Sequence, residues 1–138
     1  MKITKTALFV LTIAFLFSLN VNAQPEEGWT KIGEKLVSFK ADKDKIMITG
    51  KERNVTKIKV TCIQGAVKIK NIYVKMSDGQ EKNFNPSIGV MNKNMSTIGF
   101  KLPGDNNELE ELELEYDSMG TILTNKRAKV EIWGKLKE

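Results

Sequence analysis

Three glutamates, Glu111, Glu113 and Glu115, alternate with Leu112, Leu114 and Tyr116 near the end of the chain. On a strand such alternate residues share one face about 6.7 Å apart, twice the rise per residue. Carboxylates about 5–9.5 Å apart suit glycoside hydrolysis, where one acid protonates the leaving oxygen and the other attacks or activates water. That chemistry also requires a cleft, and one carboxyl drawn out of water so that its pKa rises. Three acids in a row on an open face fit a solvated ladder better. A second alternating run places Ala128, Val130 and Ile132 on one parity and Arg127, Lys129 and Glu131 on the other. We expect the two runs to pair antiparallel, setting Arg127 and Lys129 against the acids. Cross-strand pairs of opposite charge contribute roughly 0.2–1 kcal/mol each. A glycosidase using Glu111 and Glu113 is therefore only a distant alternative.

The remaining reactive side chains offer less. The chain has one cysteine and no histidine. Cys62 shares its parity with Ile58 and Val60, which points it inward, and without a histidine it has no ordinary base to make it a nucleophile. Asp42-Lys43-Asp44 suggests a fragment of a calcium loop, but the further oxygen ligands, glycine and terminal glutamate of such a loop are missing, so a charged turn over 40–45 is expected. Asp105, Asn106 and Asn107 are explained equally well by turn chemistry. No phosphate loop, dinucleotide fingerprint, zinc spacing or nucleophile elbow occurs. The expected protein is thus not an enzyme, with no catalytic residue, no metal site and no cofactor.

Binding chemistry is better represented. Trp29 opens the first apolar run, and Trp133 falls on the polar parity of the last. A tryptophan held on an outer face can stack on a sugar or anchor a protein partner; its commoner fate is burial, here by mutual packing that would seal one end of the fold. Trp29, Trp133 and Tyr73 form the candidate ligand-binding set, at one end of the domain. Ile122 and Leu123, in the connection from Ser118 to Lys126, are apolar where a loop is normally polar. They form a second candidate, a partner-binding loop for a small inhibitor or assembly subunit.

The elements that must position these residues are strands. Trp29 to Phe39, Ile46 to Ile48, Val55 to Ile63, Ala66 to Met76, Glu81 to Phe84, Met95 to Leu102 and the two final runs read as β. Turn signals separate them at 64–65, 77–80 and 103–107. Val67 and Ile69 share one parity and Ile72, Val74 and Met76 the other, so a β-bulge or bend is expected near Lys70 and Asn71. Leucine and glutamate favour helix, yet the spacing of two in 109–116 overrides propensity. About eight or nine strands and no helix specify an all-β fold, a single antiparallel β-sandwich of jelly-roll-like form. The strands of Trp29 and Trp133 are expected to lie close together.

The first residues belong to a different class of signal. Lys2 and Lys5 precede an apolar run from Ala7 to Leu19, and Val21-Asn22-Ala23 supplies a cleavage site. This is a secretory signal peptide, 1–23, ahead of one domain, 24–138. The run is short for a membrane span, which needs about 20 apolar residues, so no integral membrane segment is expected after cleavage. Export to the periplasm or beyond follows. The 138 residues less a leader of 23 leave 115, enough for one core without disulfides. The whole chain carries a net charge of +5, and loss of Lys2 and Lys5 makes it milder still, too mild to argue for nucleic acid. Charge is segregated along the chain: five lysines and no acid from Asn54 to Ser77, seven acids and no base from Asp105 to Asn125. Neighbouring strands would let the two segments neutralise each other; separate patches would steer a partner.

Lys57-Ile58-Lys59-Val60, Val67-Lys68-Ile69, Ile72-Tyr73-Val74 and the closing Ala128-Lys129-Val130-Glu131-Ile132-Trp133-Gly134 together resemble a family of small exported bacterial β-sandwich domains of unknown function. The resemblance covers most of the mature chain. It implies a β-sandwich and export, and brings no activity or catalytic residue with it. Some such domains carry a cysteine pair; Cys62 stands alone, so no disulfide is carried over. The sequence as a whole leads to a non-enzymatic binding or envelope-associated module whose partner is a glycan or a surface protein.

Overall fold

The computed structural model describes residues 28–38, 41–48, 50–118 and 127–137. Among the described residues nine strands follow one another: β1 (Trp29–Leu36), β2 (Asp42–Ile46), β3 (Val55–Gln64), β4 (Val67–Met76), β5 (Glu81–Phe84), β6 (Val90–Met91), β7 (Phe100–Lys101), β8 (Leu109–Ser118) and β9 (Lys129–Leu136). A short 3-10 turn, Gly50–Arg53, leads into β3. One sheet has the order β1-β9-β3-β7; the other has the order β2-β8-β4-β5, with β6 added alongside β4. All pairings are antiparallel. Most connections cross from one sheet to the other, and the strand order is that of a jelly roll with β6 as an extra short strand. The leader, 1–23, lies outside the described residues.

The core lies between the sheets and takes the inward parity of each strand. Ile58, Val60 and Cys62 come from β3, Ile72, Val74 and Met76 from β4, Leu112, Leu114 and Tyr116 from β8, and Val130 and Ile132 from β9, all essentially inaccessible to solvent. The expected bulge in β4 is present, with the register to β8 shifting between Ile69 and Asn71. It moves the inward positions by one residue and keeps both halves of β4 facing the core. Phe84 and Phe100 stack at 4.9 Å between β5 and β7, closing the open side. Gly134 is required where it stands: a Cβ there would meet Val55 Cγ1 at 2.6 Å and Ile32 Cδ1 at 3.1 Å. Cys62 is buried as expected, and burial pushes its thiol pKa up.

Three expectations are corrected. The two final runs do not pair with each other: β8 lies between β2 and β4, and β9 between β1 and β3. Their apolar faces meet across the core instead, so Arg127 and Lys129 do not face the glutamates. The alternation of a single strand fixes which face is inward, but it does not choose the neighbour. The charged stretch 40–45 is largely strand, because β2 is a sheet edge. Its charged side chains cover an edge that would otherwise be open to further pairing. Lys43 and Lys45 stand beside Glu115 and Glu113, and Asp44 accepts a 2.5 Å hydrogen bond from the Tyr116 hydroxyl. The stretch 95–102 is strand only at Phe100–Lys101, and Ile98 is 71% exposed rather than in the core. Thr97 is buried there, as is Leu102 at the end of the stretch. The Thr97 side chain is held by hydrogen bonds. Its hydroxyl accepts from the Val60 N–H at 3.0 Å and donates to the Ile98 carbonyl at 2.9 Å.

Candidate functional site

The outer face of the β1-β9-β3-β7 sheet is set by cross-strand register. Trp29 stands opposite Lys135, Lys135 opposite Lys57, and Lys57 opposite Lys101. The next row is Lys31, Trp133, Lys59, and the one after it is Glu34, Glu131, Thr61. The bridge from Thr61 continues this last row to Ser96. From Lys57 onward the odd-numbered residues of β3, like those of β9, point outward because Ile58, Val60, Val130 and Ile132 occupy the core; before the register shift Val55 is buried. Trp29 and Trp133 are therefore brought together, and both are half-buried. They lie side by side on the outer face of this sheet and are not sealed inside the sandwich.

Trp29 and Trp133 border one shallow depression of about 260 Å³, together with Lys59, Thr61, Ile63, Asn94 and Glu131. It lies just below the roughly 300–1,000 Å³ of pockets that enclose a small molecule. The Lys59 ammonium lies 4.5 Å from the Trp29 ring centroid, a cation–π contact that holds the indole in place. The indole reaches across the sheet to Gly99, where a Cβ would come within 3.0 Å of Cη2. Thr61, Asn94 and Glu131 supply hydrogen-bonding groups around the aromatic floor. Lys31 pairs with Glu34 at 3.0 Å and with Glu131 at 3.3 Å. The hydrogen bond to Lys31 is the main cause that lowers the Glu34 pKa, and the hydrogen bond to Glu34 is the main cause that raises that of Lys31.

Tyr73 is not part of this face. It lies on β4 in the other sheet, opposite Glu113 and Asn83. Its hydroxyl donates to Glu81 Oε1 at 2.5 Å. That bond, followed by desolvation and the nearby carboxylates, holds its pKa up at about 12. Tyr73 borders a second, polar depression with Lys43, Asn71, Asn83, Glu113 and Glu115. Glu111 stands apart from it, 4.0 Å from the Lys45 ammonium. Ile122 and Leu123 lie outside the described residues. Among the described residues no cluster of three or more acidic, cysteine or histidine side chains is arranged to hold a metal. No described helix is long and apolar enough to cross a membrane.

The comparisons fit this geometry without adding a chemistry. The family model described as Domain of unknown function (DUF2541) matches residues 8–134. The chain belongs to this family. No curated protein and no solved structure gives a significant match. The functional reading of this DUF2541 domain therefore rests on its own side chains. Sequence reasoning counted Lys57 and Lys59 in a basic segment without making them site residues, and passed over Lys101 and Lys135. The alternation of Lys57 and Lys59 shows that they face outward, but that β7 and β9 add lysines beside them is a matter of strand order.

Proposed function

We propose that this protein is an exported, non-enzymatic binding module that holds a glycan on the outer face of the β1-β9-β3-β7 sheet. The observation that carries the reading is the placing of Trp29 and Trp133, both half-exposed, around a single depression. An indole offers a flat apolar surface to the C–H face of a sugar ring. Thr61, Asn94 and Glu131 stand where ring hydroxyls need partners. The openness of the site favours a chain passing over it rather than a small molecule enclosed within it. Export is supported by the basic start, apolar run and small-residue cut at 1–23. A glycan array probed with the purified protein, beside Trp29→Ala and Trp133→Ala, tests the reading. Aromatic anchors of this kind carry about 2 kcal/mol or more, so each variant is expected to bind roughly thirty-fold more weakly. Binding unchanged in both variants would rule the face out.

A further inference from the structure

The depression does not account for the row beside it. Lys135, Lys57 and Lys101 stand side by side on β9, β3 and β7, with Trp29 at the head of the row. Side chains directly opposite on antiparallel strands have Cβ atoms about 4.5–5.5 Å apart, and like charges at that separation are destabilising. Among the described residues no carboxylate lies within 4.0 Å of any of these three ammonium groups. The acids of the face, Glu34 and Glu131, are on the far side of the tryptophans and are paired with Lys31. The face thus runs from a row of three lysines headed by Trp29, through Lys31, Trp133 and Lys59, to a row of Glu34, Glu131 and Thr61.

We infer that the ligand is an acidic polysaccharide, whose sugar ring rests on Trp29 and Trp133 while its carboxylate or sulfate group lies on the row Lys135–Lys57–Lys101. The inference builds on the proposed glycan platform and names the class of glycan. An anion on the row offsets the repulsion among the three lysines, a gain that a neutral sugar cannot supply. Glu131, at the edge of the depression, accepts hydrogen bonds from sugar hydroxyls.

The test uses the purified full chain and four probes: polygalacturonate for carboxylates, dextran sulfate for sulfates, neutral dextran, and a single-stranded oligothymidylate. At least one acidic polysaccharide is expected to bind about tenfold or more tighter than dextran, as three screened charge pairs allow, with the difference shrinking as salt is added. The triple variant Lys57→Gln, Lys101→Gln, Lys135→Gln should lose that advantage and keep the weaker neutral binding. Because these lysines are on the surface, its urea midpoint should not fall below that of the parent. Equal affinity for acidic and neutral polymers, or an undiminished preference in the triple variant, would overturn the assignment of the lysine row and leave the tryptophan platform standing. Failure of every polysaccharide to bind would overturn both, and so would tighter binding of the oligothymidylate than of any polysaccharide.

Discussion

The two sheets share one core and present opposite kinds of outer face. On the β2-β8-β4-β5 sheet, Lys43 and Lys45 stand beside Glu115 and Glu113, Lys75 beside Glu111 and Glu81, and Lys68 beside Asp117. Lys70, at the bulge, reaches Asp117 at 3.6 Å. Acids and bases interleave there, and the aromatic residue of the face, Tyr73, is tied to Glu81. On the β1-β9-β3-β7 sheet six lysines, Lys31, Lys57, Lys59, Lys101, Lys129 and Lys135, face two glutamates and two tryptophans. The first arrangement sets acids directly beside bases. The second leaves like charges adjacent and indoles half-exposed, features that a ligand can complete.

The difference should lie in surface chemistry and not in folding, and the largest expected effect checks this. Ile132 lies beneath the tryptophan face and Leu114 beneath the glutamate face, both fully buried in one cluster. Ile132→Ala and Leu114→Ala should each cost about 2–5 kcal/mol in urea denaturation, with a single transition in both cases. Two separate transitions would show that the sheets are independent units.

A smaller effect is expected at Tyr116, which ties the edge strand β2 to the core. Its hydroxyl accepts from the Ser38 N–H at 2.9 Å and donates to Asp44. Tyr116→Phe deprives both groups of that partner and should cost about 1–3 kcal/mol. No change in the denaturation midpoint would mean that water satisfies them equally well.

The smallest effect is a titration. Tyr73 and Tyr116 are the only tyrosines in the chain, and both have raised pKa values. For Tyr73 the first cause is the bond to Glu81; for Tyr116 it is desolvation. The native protein should therefore show no phenolate absorbance step at pH 10, with Tyr73 ionising near 12. A phenol whose pKa rises on folding adds stability below its unfolded value of 10, and loses it as the pH rises through the folded value. Glu81→Gln should bring the Tyr73 step back toward 10. A full step at 10 in the parent protein would show that the glutamate face does not hold its tyrosine.

Much of this comparison was legible from alternation alone. Val55–Gln64, Val67–Met76 with its bulge, and Glu81–Phe84 are periodic or bounded by turn residues, and inward parity followed directly. The strand carrying Trp133 was expected near that of Trp29, and β9 does pair with β1. What alternation could not reveal was neighbourhood. Leu109–Ser118 and Lys129–Leu136 are consecutive in the chain and both central, yet each sits in its own sheet. That single fact moved the glutamates away from Arg127 and Lys129 and toward the lysines of β2 and β4. It also explains why the segregated charge has two fates. The β4 lysines are matched by the acids of β8, whereas Lys57 and Lys59 on β3 stand beside further lysines. Tyr73 was misplaced for the same reason, since an outward residue on β4 belongs to the opposite face from Trp29. From sequence Asp44 reads as part of a charged turn, because its partner is a hydroxyl 72 residues away, out of reach of local pattern.

The central claim is that ligand binding belongs to one face. The most direct measurement is the affinity of the purified protein, Trp133→Ala and Glu113→Gln for the tightest-binding polysaccharide of the array, determined side by side by calorimetry. The account predicts a loss of roughly thirty-fold for Trp133→Ala, about 2 kcal/mol, and parent-like affinity for Glu113→Gln. Loss in Glu113→Gln with Trp133→Ala unaffected would contradict it and move the site to the glutamate face.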